Sequence, residues 1–139
     1  MTKKTKEITS LSYEQAQQEL QELLAQIEAQ LAQKLAMEKV EHRLVGRVKT
    51  PWSIYTKMRA ENRSFTQVMD VFGYRVVVDT VPECYHALGV AHSVFKPLDG
   101  RFRDFIAIPK ANGYQSLHTT LFGMHGVPIE IQIRTREME

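Results

Sequence analysis

Cysteine is almost missing from this chain of 139 residues. The one present, Cys84, allows no intrachain disulfide framework and no thiolate cage for a metal, and it reads as a small core residue. Long apolar runs are missing too. Nothing approaches the roughly 18 residues a spanning helix needs, and the opening "MTKKTKEITS" lacks the apolar segment of a secretory signal. Charge of one sign is the third scarcity. With a formal net charge of +2, a global pull on nucleic acid is weak, so any anion site has to be a local cluster. These absences point to the cytoplasm, with no membrane partner and no direct nucleic-acid partner expected. No internal repeat or low-complexity tract occurs.

What is present is ordinary for one globular domain with a real core: 43% hydrophobic and 24% charged residues. Residues 1–11 read as a disordered or tag-like lead. Residues 12–39 read as a long helix, with Ser12 and Gln15 spaced for a capping box. Ala16, Leu20, Leu23, Leu24, Ile27, Leu31 and Leu35 recur at three and four, giving one apolar stripe. Such a stripe packs on the domain behind it or pairs in a coiled coil; the flanks lack the orderly opposite charges of a coiled coil.

From residue 40 the texture changes. "VEHRLVGRVK" suits a strand, and Thr50 with Pro51 caps a helix over "PWSIYTKMRAEN". "VMDVFGYRVVVD" is a strand with a bulge expected at Gly73, and "PECYHALGVAHSVF" is helical. "FRDFIAIP", "YQSLHTTLF" and "PIEIQIRT" are three further strands between Gly and Pro punctuation. A long helix followed by about five strands with two interspersed helices is an α+β fold with a mixed sheet.

Four patterns carry possible chemistry. In "IEIQIRT" three isoleucines alternate with Glu130, Gln132 and Arg134, which places the polar groups on one strand face; a solvated outer face accounts for that pattern taken alone. Between Arg43 and Arg63 six Lys or Arg stand against one acid, Glu61. Arg47 and Lys49 share strand parity, and Ser53 and Lys57 share a helix side near an N-terminus that favours anions. The cluster suits a polyphosphate, and a solvated basic face suits it as well. Asp70, in an otherwise apolar strand, is a turn residue or a ligand for Mg²⁺ bridging phosphates. Lastly, "KANGYQSLHTTLFG" brings Lys110, Asn112, Tyr114 and His118 close together, with Tyr114 and His118 of equal parity. An aromatic face, a cation and an amide make a nucleoside site. Arg101 and Arg103 share a face of the neighbouring strand.

"GRVKTPWSIYTKM", "MDVFGYRVVV", "GRFRDFIAIPKANGYQSLHTT" and "VPIEIQIRT" follow one another as in the synthetase domain of the RelA/SpoT family. Residues 40–139 resemble that domain, in its long, SpoT-like type. The resemblance implies a nucleotidyltransferase-like mixed sheet flanked by helices. It implies transfer of pyrophosphate from ATP to the 3′-OH of GDP or GTP, giving the alarmone (p)ppGpp, with Mg²⁺ as cofactor. On matching positions, Arg47 and Arg75 would sandwich adenine, and Lys49, Ser53 and Lys57 would hold the ATP phosphates. Asp70 would bind the metal, and Glu130, sharing it, would activate the 3′-OH with support from Gln132. Tyr114 would stack on guanine, with Lys110, Asn112, His118, Arg101 and Arg103 around the acceptor. Arg103 stands where many long members carry Lys, which keeps the charge. The family's helical sequence continues beyond "REME", and its His-Asp hydrolase motif is not found in this stretch. The expectation is therefore a C-terminally truncated piece that does not degrade alarmone, from a parent with hydrolase and regulatory domains. The alternatives are a catalytically silent nucleotide- or alarmone-binding regulatory fragment, or a basic nucleic-acid module, which the Glu130–Gln132 face and Asp70 disfavour.

Overall fold

The computed structural model describes residues 12–48, 72–123 and 128–139. The lead over 1–11, the helix over 51–62 and the start of the strand expected from residue 68 lie outside the described residues.

Helix α1 (Tyr13–Met37) begins where the sequence says it should. Ser12 is extended, its Oγ accepts from the Gln15 N–H, and the Gln15 side chain accepts from the Ser12 N–H at 3.2 Å. The helix stops as Lys39 turns left-handed (φ 59°) and the Val40 N–H closes onto the Leu35 carbonyl. Helix α2 (Val81–Val94) is capped by Thr80, whose Oγ1 accepts from the Glu83 N–H.

The described residues form six strands, two before α2 and four after it: β1 (Arg43–Val48), β2 (Phe72–Val78), β3 (Lys96–Pro97), β4 (Arg103–Asp104), β5 (Leu117–Phe122) and β6 (Pro128–Thr135). Their order is β1-β2-β6-β5, with the short β3 and β4 both pairing the far edge of β5. Among the described strands β2 and β6 run parallel and the other pairs antiparallel, so the sheet is mixed.

One face of the sheet is apolar and helix-covered. Tyr74, Val76 and Val78 of β2, the three isoleucines of β6, and Leu117 and Leu121 of β5 pack against Leu23, Ile27, Leu31 and Leu35 of α1 and the buried side of α2. From Leu23 to Leu35 the α1 stripe is thus taken up by its own domain, while the side chains of Ala16 and Leu20 lie outside what is described. Tyr74 pins the helix further: its hydroxyl donates to the Leu24 carbonyl at 2.7 Å. Burial, and then the nearby Glu28 carboxylate, pushes that phenol above the ordinary tyrosine range. Gly46 lies opposite it, where a Cβ would come within 3.0 Å of the Tyr74 ring.

Three expectations need correction. Gly73 makes no bulge; its pairings with Arg47 and Glu130 are in regular register. The strand expected over 102–109 pairs only at Arg103 and Asp104, because the Asp104 carboxylate accepts from the Ile106 and Ala107 N–H groups and turns the chain. Tyr114 precedes β5 rather than lying in it, since the Lys110–Tyr114 turn takes up those residues.

Candidate active site

The second face of the sheet is polar, and strand register assembles it. Because side chains alternate, residues paired across neighbouring strands share a face. One cross-strand row therefore runs Val45, Arg75, Gln132, His118, Arg103, over five strands. The next runs Arg47, Gly73, Glu130, Thr120. A third pairs Val77 with Arg134. Gly73 contributes no side chain to that row.

Along β6 the polar groups are joined. The Gln132 amide nitrogen is 3.5 Å from Glu130 Oε1, and Arg134 Nη2 donates to Gln132 Oε1 at 2.6 Å. The same Nη2 donates to the Tyr114 hydroxyl at 2.7 Å, and that oxygen lies 2.7 Å from His118 Nε2. Tyr114, His118 and Phe105 meet edge to face, with centroids 5.3–6.3 Å apart. The Lys110 ammonium lies 4.8 Å from the Phe105 centroid and 5.3 Å from that of Tyr114. Arg134 lies 5.1 Å from the Tyr114 ring on its own account. Burial, reinforced by the Lys110 and Arg134 cations, holds the His118 imidazole below its usual range.

The turn that delivers Tyr114 is built by its own sequence. Asn112 Oδ1 accepts from the Tyr114 N–H, and Gly113 supplies a positive φ of 85°. Asn112 thus serves the turn through its carbonyl oxygen. Arg103, though in register with His118, bends its guanidinium back to the Gly100 and Phe102 carbonyls. Arg101 lies ahead of β4 and is exposed, so these two arginines do not form the shared strand face expected of them. Arg75 forms an ion pair with Glu139 at 3.1 Å, and Arg43 pairs with the same carboxylate.

The structure therefore brings together Glu130, Gln132, Arg75, Tyr114, His118 and Lys110. Arg47 enters by backbone register alone, while Lys49, Ser53, Lys57 and Asp70 lie outside the described residues. Arg134, Phe105 and Glu139, to which the resemblance assigns no role, also stand at this face. Arg134 is visible in the sequence as the third polar member of the alternation, whereas Phe105 follows a strand that ends at Asp104 and carries no periodic signal.

Among the described residues no three His, Cys, Asp or Glu side chains gather as a metal cage. Mg²⁺ does not require one; it is usually held by one or two carboxylates together with substrate phosphates. Glu130, half-buried on a polar face beside Gly73, is a fitting hard-oxygen donor for such a site. No helix among the described residues is long and apolar enough to cross a membrane.

Comparison with known proteins gives this geometry a context. Residues 46–139 match the family described as the region found in RelA/SpoT proteins. The chain is 43% identical over 134 residues to the bifunctional (p)ppGpp synthase/hydrolase SpoT of Escherichia coli K12, covering 96% of this chain and 18% of that protein. It is 45% identical over 117 residues to the GTP pyrophosphokinase rsh of Brucella melitensis, covering 84% of this chain and 16% of that one. It therefore spans less than a fifth of these relatives. The small alarmone synthetase 1 of Bacillus subtilis, solved bound to its product pppGpp, superposes with a TM-score of 0.62 at 25% identity, over 86% of this chain and 71% of that one. The nucleotidyltransferase-like mixed sheet implied by the sequence motifs is the fold observed. With the family match taking in most of its length, this chain belongs to the RelA/SpoT family.

Proposed function

We propose that this chain carries the synthetase chemistry of its family, moving pyrophosphate from ATP to the 3′-OH of GDP or GTP. The observation that carries the reading is the joined polar face of β6, with Glu130 at one end and the Tyr114–His118 platform at the other. The 3′ oxygen attacks the β-phosphorus of ATP, the bond from that phosphorus to the α-phosphate oxygen breaks, and AMP leaves. Glu130 takes the 3′-OH proton, held in place by the Gln132 amide. Tyr114 stacks on guanine, with Lys110 and His118 beside it and Asn112, Arg101 and Arg103 at the acceptor's margin.

On the donor side Arg75, with Arg47 opposite, grips adenine through the planar faces of two guanidiniums. Lys49, Ser53 and Lys57 hold the phosphates. Glu130 and Asp70 would hold Mg²⁺, which would supply neutralisation of the phosphate charge. Attack on phosphorus needs alignment and charge neutralisation more than covalent chemistry, and this residue set supplies both.

The test is incubation of the chain with labelled ATP, GDP or GTP and Mg²⁺, followed by separation of products. AMP and (p)ppGpp in equal amounts are expected. Nucleotide binding without product would instead favour a silent regulatory fragment, a reading to which the Arg75–Glu139 ion pair lends support because it occupies an ATP-side guanidinium.

A further inference from the structure

Arg134 is buried, at 7% exposure, in a strand otherwise filled by isoleucines on its far face. A guanidinium in such a place is costly unless its hydrogen bonds are needed there. We infer that Arg134 is a positioning residue that links the two halves of the site by fixing where the Gln132 amide, the Tyr114 hydroxyl and the His118 ring carry their protons. Its functional meaning rests on the pyrophosphate-transfer reading above.

The argument is one of donors and acceptors. Arginine has five N–H donors and no acceptor. The Gln132 atom facing it must therefore be the carbonyl oxygen, which turns the amide nitrogen toward Glu130. The Tyr114 oxygen accepts from the same nitrogen; it could accept a second bond from His118, but its own proton would then have no acceptor among these groups, so we assign that proton to His118 Nε2. That nitrogen then presents a lone pair, and the imidazole is neutral with its proton on Nδ1. The surrounding charges agree. Lys110 from the turn and Arg134 from β6 face the ring, Arg103 of β4 is in register with it, and Phe105 and Tyr114 present ring edges. Lysine at 134 would keep the charge but not two bonds in a fixed geometry.

The experiment is nitrogen NMR of His118 in the ¹⁵N-histidine-labelled chain, as wild type, Arg134→Gln, Arg134→Lys and Tyr114→Phe. In the wild type we expect the Nδ1–H tautomer and a titration below the usual histidine range. In Arg134→Gln and in Tyr114→Phe the midpoint should move upward. Arg134→Gln should also lower kcat by about tenfold or more, as for loss of a charge-assisted hydrogen bond, with the KM for ATP little changed. Arg134→Lys should fall between. An Nε2–H tautomer in the wild type, or a midpoint unmoved in both Arg134→Gln and Tyr114→Phe, overturns the inference; should Arg134→Gln not fold, Tyr114→Phe decides alone. A wild type that makes no alarmone overturns the pyrophosphate reading instead, and the NMR result separates the two failures.

Discussion

Glu130 can be changed without opening the core, because its strand neighbours Ile129 and Ile131 bury on the other face. Glu130→Gln is expected to fold and bind ATP yet turn over at least about 10²-fold more slowly, the lower range for loss of a general base. The comparison belongs at saturating Mg²⁺, since the carboxylate also holds metal in this proposal; wild-type speed there would move the base elsewhere. Tyr114→Ala should weaken guanine-nucleotide binding by roughly 1–3 kcal/mol, the usual worth of stacking a base on an aromatic. Calorimetry showing unchanged affinity would dismiss Tyr114 as the platform. Glu130 and Gln132 were legible because period two needs no tertiary information. The double role of Arg134 was not, since it depends on Tyr114 arriving from a turn that no periodicity encodes.

Helix α1 shows what a sequence displays well: a capping box and, from Leu23 to Leu35, an apolar stripe, both found in place. Ile27 is wholly buried under the sheet, so Ile27→Ala should cost about 2–5 kcal/mol in a urea melt, the range for large-to-small core changes. A loss below about 0.5 kcal/mol, the range of a surface change, would mean that the stripe is not core. The stretch 102–109 shows the opposite. Its aromatic and β-branched residues read as a strand, but Asp104 folds the backbone onto its own carboxylate and also accepts from the Tyr85 hydroxyl. Burial alone would raise the Asp104 carboxyl, yet these hydrogen bonds keep it below its usual range. A competing local turn of this kind overrides strand propensity.

At the scale of the molecule, acid should loosen the fold. Burial holds both His92, bonded to Thr119, and His118 below the ordinary histidine value of 6.5. Below that pH the unfolded chain binds protons that the folded chain refuses, so stability falls with falling pH until the depressed folded values are reached. Thermal melts should therefore show Tm dropping from pH 7 toward pH 5, less steeply in His92→Gln; a Tm that rises would mean the histidines are charged in the fold. The place of β6 has a consequence for cooperativity. Among the described residues it is the one strand bonded both to the β1–β2 pair and to β5 with its short edge partners. Without it the sheet falls into two pieces, each too small to persist alone. In the proposed function the donor-side and acceptor-side residues are thus joined through one backbone ladder, so opening on one side should be felt on the other. In native-state hydrogen exchange, the β6 amides of Ile131 and Ile133 should exchange only through global unfolding, and either nucleotide should slow β2 and β5 together. Protection gained by β5 alone on adding guanine nucleotide would show two independent halves.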